Sequence, residues 1–277
     1  MTVREILDEA RDSFEHGGID TPFLDACLLL AHAMGVSKEF LLAAYPDEAE
    51  ESAVAGYRNL IEKRLSGIPV SYLRNVKEFY GREFFVDSRV LVPRPDTETL
   101  VDTVLELKDR IPCLRRMHDT CTGTGCIALT LKLEAPDLEI SASDISREAG
   151  EVFAINRERF GISVPFRESD LLSSVPGTFD LITANPPYIT EAEYRTMADM
   201  RWPEPREALA AGENGLDVLV RLIEESVDSL LPNGYLVCEA AQPQFPALRR
   251  IMAEAGYREI DVRKDLGGRD RVILGRR

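Results

Sequence analysis

The chain has 277 residues, 44% apolar and 29% charged, room for one large domain or a medium domain with a small companion. Its 48 acidic and 33 basic residues give a formal net charge of −15, which argues against non-specific binding to DNA, RNA or an anionic membrane. No apolar run approaches the roughly 18 to 20 residues of a membrane span, and the acidic, amphipathic start MTVREILDEARDSF resembles neither a signal nor a transit peptide.

In chain order, Val3, Ile6, Leu7, Ala10 and Phe14 recur at helical spacing and Gly17-Gly18 stops that helix. Thr21-Pro22 restarts the chain, and the dense apolar stretch from Phe23 to Met34 ends at Gly35. Ser37 is placed to cap a short third helix, and a fourth is expected from about Glu48 to Leu65. Residues 1–74 carry 13 Asp or Glu against 7 Lys or Arg, so a small helical domain with an acidic outer face is expected there.

Residues 75–95 change character. EFYGREFFVDSRVLVPRP alternates around Gly81 and predicts a hairpin linking that domain to a third segment, 96–277. Asp96 is expected to cap the helix DTETLVDTVLELKDR. A strand–helix rhythm follows. Strands are predicted over 117–121, 138–143, 179–184, 234–239, 257–262 and 271–274, with helices over 126–133, 146–160, 217–231 and 244–255. Such alternation implies a parallel sheet with helices on both faces and a ligand site beyond the carboxyl ends of the strands.

Three motifs carry chemistry. Asp119-Thr120-Cys121-Thr122-Gly123-Thr124-Gly125 joins a strand to a helix, where small residues let the backbone approach a ligand and free N–H groups face it, or simply serve tight packing. Asp144 ends the next strand, 19 residues after Gly125, where an acidic residue of a nucleotide-binding βαβ unit holds ribose hydroxyls; a helix N-cap is the plainer alternative. Asn185-Pro186-Pro187-Tyr188 follows the apolar strand FDLITA. Two prolines remove two N–H donors, so the Asn185 amide oxygen and the Pro186 carbonyl can both face a pocket as acceptors, with Tyr188 as a flat wall. That set suits a planar NH2 group; the plainer alternative is a surface turn. Five scattered cysteines and His16, His32 and His118 form no metal pattern, and a reducing cytoplasm is expected.

Together these motifs resemble an S-adenosylmethionine-dependent methyltransferase of the seven-stranded, Rossmann-like kind. Gly67 to Asp102, Glu204 to Asp217 and Asp265 to Arg276 narrow the resemblance to the HemK/PrmC family, which methylates the N5 amide of the glutamine in the GGQ motif of peptide chain release factors. The resemblance covers essentially the whole chain and implies a helical docking domain joined by a β-hairpin to the methyltransferase domain. It implies a cofactor site of Asp119, Cys121, Thr122, Gly123, Thr124, Gly125, Asp144, Asp170, Leu171 and Asn185. The substrate site it implies is Asn185, Pro186, Pro187, Tyr188 and Arg94, with Asn185, Pro186 and Tyr188 catalytic and no metal. Arg94, between two prolines, reads equally as a substrate contact and as an ion-pair partner.

The turn departs from the family's usual D-[LV]-G-T-G-[ST]-G. Cys121 replaces the first glycine, where a Cβ is expected to crowd the cofactor or to disfavour φ > 0, and Thr120 and His118 replace aliphatic residues. Leu171 lacks the aromatic ring often found there, and Ala240-Ala241 stands where Ile-Gly is common. His118 is expected to be a satisfied core histidine, and Cys121 a small packed side chain. The expected partner is a release factor, met by a monomer without membrane or nucleic acid. Two rivals are an N6-adenine methyltransferase, which needs a basic groove, and a non-catalytic release-factor binder with a decayed cofactor turn.

Overall fold

Helix starts follow the capping chemistry of the sequence in the computed structural model, which describes residues 1–199 and 202–277. These divide into two units, residues 1–76 with 202–203 and residues 77–199 with 204–277.

In the first unit, α1 (Val3–His16) opens on a capping box: the Thr2 hydroxyl accepts the Glu5 N–H while the Glu5 carboxylate accepts the Thr2 N–H. It buries Val3, Ile6, Leu7, Ala10 and Phe14, the stripe legible in the sequence. The second helix, α2 (Pro22–Met34), starts with proline in its first turn and stops at Gly35, whose φ of 66° is left-handed. Ser37 caps α3 (Lys38–Ala43) by accepting the Phe40 N–H. In α4 (Glu51–Leu65), which begins at Glu51 rather than Glu48, the buried Tyr57 donates to the Ala26 carbonyl at 3.0 Å. A further short helix, α5 (Val70–Arg74), was not expected; five residues are too few for a helical period to show.

The second unit begins with the hairpin of β1 (Lys77–Phe79) and β2 (Arg82–Phe84). Tyr80 and Gly81 both have positive φ, as a two-residue turn of this twist requires. Phe79 and Phe84 lie within the main hydrophobic core of this unit, so the hairpin is part of it rather than a free linker. A single 3-10 turn, Pro95–Thr97, leads into α6 (Glu98–Arg110). That turn carries Asp96 away from the expected capping position, and its carboxylate pairs with Arg271 at 2.9 Å instead.

The strands are β3 (Arg116–Thr120), β4 (Glu139–Asp144), β5 (Phe166–Glu168), β6 (Phe179–Ala184), β7 (Leu230–Glu239), β8 (Arg258–Lys264) and β9 (Asp270–Arg276). Between them run α7 (Cys126–Glu134), α8 (Arg147–Arg159), α9 (Glu191–Asp199), α10 (Asp217–Ser229) and α11 (Phe245–Glu254). Among the described residues seven strands form one sheet in the order β5-β4-β3-β6-β7-β9-β8. The parallel arrangement expected from the strand–helix alternation gives way at the sheet's far edge. The strands are parallel from β5 to β7, but β9 runs antiparallel to both β7 and β8. Only a short loop joins β8 to β9, with no room for the crossover a parallel pair needs. Two hydrophobic cores flank the sheet, one around Met117, Leu129 and Phe153 and the other around Ile182, Leu222 and Leu248.

The chain runs outward on one side of β3 to β4 and β5, then returns to β6 on its other side. Strand order therefore reverses between β3 and β6, and a crevice opens beyond their carboxyl ends. Among the described residues no helix is long and apolar enough to cross a membrane.

Candidate active site

Beyond those strand ends lies a cavity of about 310 Å³. The turn after β3 forms its floor. Cys121, Thr122, Gly123 and Thr124 line it, whereas Asp119 and Gly125 do not. Asp119 is fully buried beneath the turn, accepting the Thr122 hydroxyl at 2.5 Å and the Thr183 hydroxyl at 2.7 Å. It fixes the turn to β6, and burial pushes its pKa up to about 7. Gly125 has a packing role. With φ at 81°, a Cβ there would stand 2.6 Å from the Phe153 ring and 2.9 Å from Leu129. Cys121 adopts φ of 55°, the left-handed conformation glycine supplies freely in this turn. Burial raises its thiol pKa, which disfavours the reactive thiolate.

Asp144, at the end of β4, lines the cavity. Its Oδ2 accepts the Gly123 N–H and its Oδ1 the Ser146 N–H, each at 2.9 Å. Burial raises its pKa against those two backbone bonds. Each oxygen keeps a lone pair for a ligand hydroxyl. Capping of α8 falls to Ser146, whose side chain accepts the Ala149 N–H. Asp170 and Leu171 line the next wall. The Asp170 carboxylate pairs with Arg221 at 2.9 Å, and Leu171 is held at φ of 47°.

Asn185 and Pro187 complete the site at the end of β6. The Asn185 Nδ2 donates to the Thr97 hydroxyl at 3.3 Å, which leaves Oδ1 as the acceptor available to a ligand. Pro186 and Tyr188 do not line the cavity. Tyr188 packs against the core behind the wall, where its hydroxyl donates to Glu239 Oε1 at 3.0 Å. Its carbonyl accepts the Gln244 side chain at 3.0 Å. Arg94 is also absent from the wall. It pairs at 2.6 Å with the buried Glu204, whose other oxygen accepts the Val92 N–H at 2.9 Å, the structural alternative of the two left open.

His118 is buried at the centre of the sheet with one ring nitrogen on the Ser141 hydroxyl and the other on the Ser143 hydroxyl, both at 2.8 Å. Burial lowers its pKa to about 4, so it is a neutral, satisfied core histidine. The sequence reading missed Thr97, Glu239, Arg221 and the segment 205–208, which also lines the cavity. Thr97 lies in the stretch DTETLVDTVLELKDR and residues 205–208 lie within Glu204 to Asp217, both named above without a role of their own. Nothing in the sequence brings Glu239 near Tyr188.

The residues fit S-adenosylmethionine. At Gly123, φ is 52° and open space lies where a Cβ would stand, so the backbone can come close to a ligand. Asp144 offers acceptors suited to ribose hydroxyls. The fold and this site define a seven-stranded S-adenosylmethionine-dependent methyltransferase.

Residues 5–74 match the family described as PrmC N-terminal domain, and residues 96–203 the Methyltransferase small domain. The chain is 36% identical to the release factor glutamine methyltransferase of Deinococcus radiodurans and 37% identical to that of Koribacter versatilis. Each alignment covers 100% of this chain and 99% of the relative. A methyltransferase crystal structure from Pyrococcus furiosus shares the fold, with a TM-score of 0.52 and 20% identity over 72% of this chain and 90% of that one. The chain belongs to the release factor glutamine methyltransferase family.

Proposed function

We propose that the chain transfers a methyl group from S-adenosylmethionine to the N5 amide nitrogen of the glutamine in the GGQ motif of peptide chain release factors. The observation that carries the reading is the position of Asn185. It shares one cavity with the Cys121–Thr124 turn and Asp144, and Thr97 engages its NH2 so that its oxygen is left to accept.

S-adenosylmethionine, when bound, supplies an electrophilic sulfonium methyl group. Asp144 would hold the ribose hydroxyls, Asp170 and Leu171 would border the adenine, and the backbone of residues 121–124 would face the methionine part. An amide nitrogen is a poor nucleophile, because its lone pair is delocalised into the carbonyl. Asn185 Oδ1 would accept a hydrogen of the glutamine NH2 and aim its nitrogen at the methyl carbon. That bond gains strength as positive charge develops on the nitrogen, which is orientational and electrostatic catalysis. No general base is needed, since the proton leaves after the methyl has moved. Tyr188 supports this wall from behind through Glu239.

The helical first unit contains none of the pocket motifs, and its role in the proposal is to dock the protein substrate. The enzyme works in the cytoplasm, as a monomer on a protein. The test is calorimetry with S-adenosylmethionine, followed by transfer of a labelled methyl group to a release factor. Binding with transfer supports the reading; binding without transfer supports the non-catalytic alternative.

A further inference from the structure

Residues 92–97 run along the cavity as a strut. Prolines at 93 and 95 fix their own φ and leave the segment without two N–H donors. The segment is tied at both ends. Near its start, Glu204 accepts the Val92 N–H at 2.9 Å and pairs with Arg94 at 2.6 Å. Near its end, Asp96 pairs with Arg271 at 2.9 Å. Arg271 is itself held in place. Its side chain is largely buried, its Nε and Nη2 both donate to Asp265 at 3.2 Å, and its carbonyl accepts the Ala240 N–H at 3.1 Å. The turn Pro95–Thr97, which carries Asp96, has no side-chain cap, and neither has α6 after it.

We infer that Asp96 and Arg271 are positioning residues, whose ion pair keeps Thr97 in place under the Asn185 amide. Thr97 follows Asp96 directly, is buried, lines the cavity and accepts the Asn185 Nδ2 at 3.3 Å. Bonds of this kind mostly fall between about 2.7 and 3.2 Å, so this one has little slack before it is lost. Once it is lost, nothing keeps the Asn185 NH2 turned to Thr97 and its oxygen turned to the substrate. An uncapped turn of three residues has little of its own to hold its last residue to that tolerance, and the tie to a paired strand supplies it. Two carboxylates share the guanidinium: Asp265 fixes it to the loop between β8 and β9, and Asp96 carries that fixed point to the turn. Asp96 is half-exposed, so the pair adds little to overall stability; what it sets is a position.

This inference rests on the proposed glutamine reading, and the test separates the two. Methylation of a release factor with labelled S-adenosylmethionine is compared for the intact protein, Asp96→Ala, Asp96→Asn, Asn185→Ala and the double variant Asp96→Ala with Asn185→Ala. Asp96→Ala leaves Arg271 its bonds to Asp265 and should melt close to the intact protein. It should lower kcat roughly fivefold or more, as expected when a reacting group loses its orientation. The KM for the release factor and the calorimetric affinity for S-adenosylmethionine should stay within about threefold, since no uniform binding contact is removed. Asp96→Asn, which keeps the shape and an acceptor for Arg271, should recover most of the loss. Because Asp96 acts through Asn185, its removal should cost nothing more once that amide is gone. The double variant should therefore match the slow rate of Asn185→Ala within about twofold.

Wild-type kcat in Asp96→Ala would overturn the positioning role and leave the glutamine reading standing. So would the same fold loss with and without Asn185, an Asp96→Asn variant as slow as Asp96→Ala, or a loss of cofactor affinity matching the loss of rate. An intact protein that moved no methyl group to the factor would overturn both.

Discussion

Cys121 shows how a single residue departs from its family without removing the site. It takes φ of 55° where glycine is usual, and a non-glycine residue in that region costs roughly 1 to 2 kcal/mol. Cys121→Gly should therefore stabilise the fold or leave it level, the relieved strain offsetting the added freedom of the unfolded chain. It should also tighten S-adenosylmethionine binding or leave it unchanged; calorimetry showing a marked loss would mean that the thiol makes a contact of its own. Asp144→Ala should weaken the same affinity far more than it lowers the melting temperature. It removes acceptors for two hydroxyls, each bond worth roughly 1.5 to 3 kcal/mol.

Asp119 makes a prediction in pH. Its folded pKa of about 7 lies above its ordinary value of 3.8, so the folded state keeps a proton that the unfolded chain releases. Its contribution to stability is complete below about pH 4 and declines as pH rises towards 7. His118, lowered to about 4 from 6.5, acts in the opposite sense and costs stability as pH falls below 6.5. The two slopes overlap, so Asp119 is isolated by difference: the stability of Asp119→Asn relative to wild type should climb between pH 4 and 7 in denaturant titrations. A constant difference would mean that Asp119 is already ionised in the fold.

At the scale of elements, capping and periodicity were legible, and isolated short pieces were not. The Val3 to Phe14 stripe and the Ser37 and Gly35 signals mark real helix boundaries, because each is a local bond or a local conformation. The short α5 and β5 escaped because so few residues carry no period, and α9 because none of its residues is buried. The antiparallel turn of β9 is set by a short loop rather than by strand composition. At the site, the residues on consecutive strand ends were legible, since a βα turn announces its ligand side. Thr97 and Glu239 were not, because only the closed fold brings them to Asn185 and Tyr188. Gly125, which the resemblance makes a cofactor contact, also fits α7 against Phe153, and Gly125→Ala tests this packing. The added methyl meets a ring at 2.6 Å in a left-handed residue, so the variant should lose roughly 2 to 4 kcal/mol. A melting temperature equal to wild type would contradict that packing role.

For the whole molecule, the net charge of −15 provides no general attraction to nucleic acid. The first unit has its own core around Leu7, Leu30 and Tyr57, and the second keeps the whole cavity. A protein substrate needs contact on the order of 800 Å² per partner, far more than one side chain offers. Removing residues 1–74 should therefore preserve S-adenosylmethionine binding and cripple methylation of an intact release factor. Equal rates for the truncated and full chains would assign that unit another purpose.

The central claim is that Asn185 directs a methyl group to one glutamine amide. The most direct measurement is peptide mass spectrometry of a release factor after incubation with the protein and S-adenosylmethionine, beside the Asn185→Ala variant. The account predicts one added methyl, on the glutamine side chain of the GGQ peptide. It also predicts a rate at least roughly a hundredfold lower in the variant, whose cofactor affinity stays within about tenfold. Methylation at another residue, or an undiminished rate in Asn185→Ala, would contradict it.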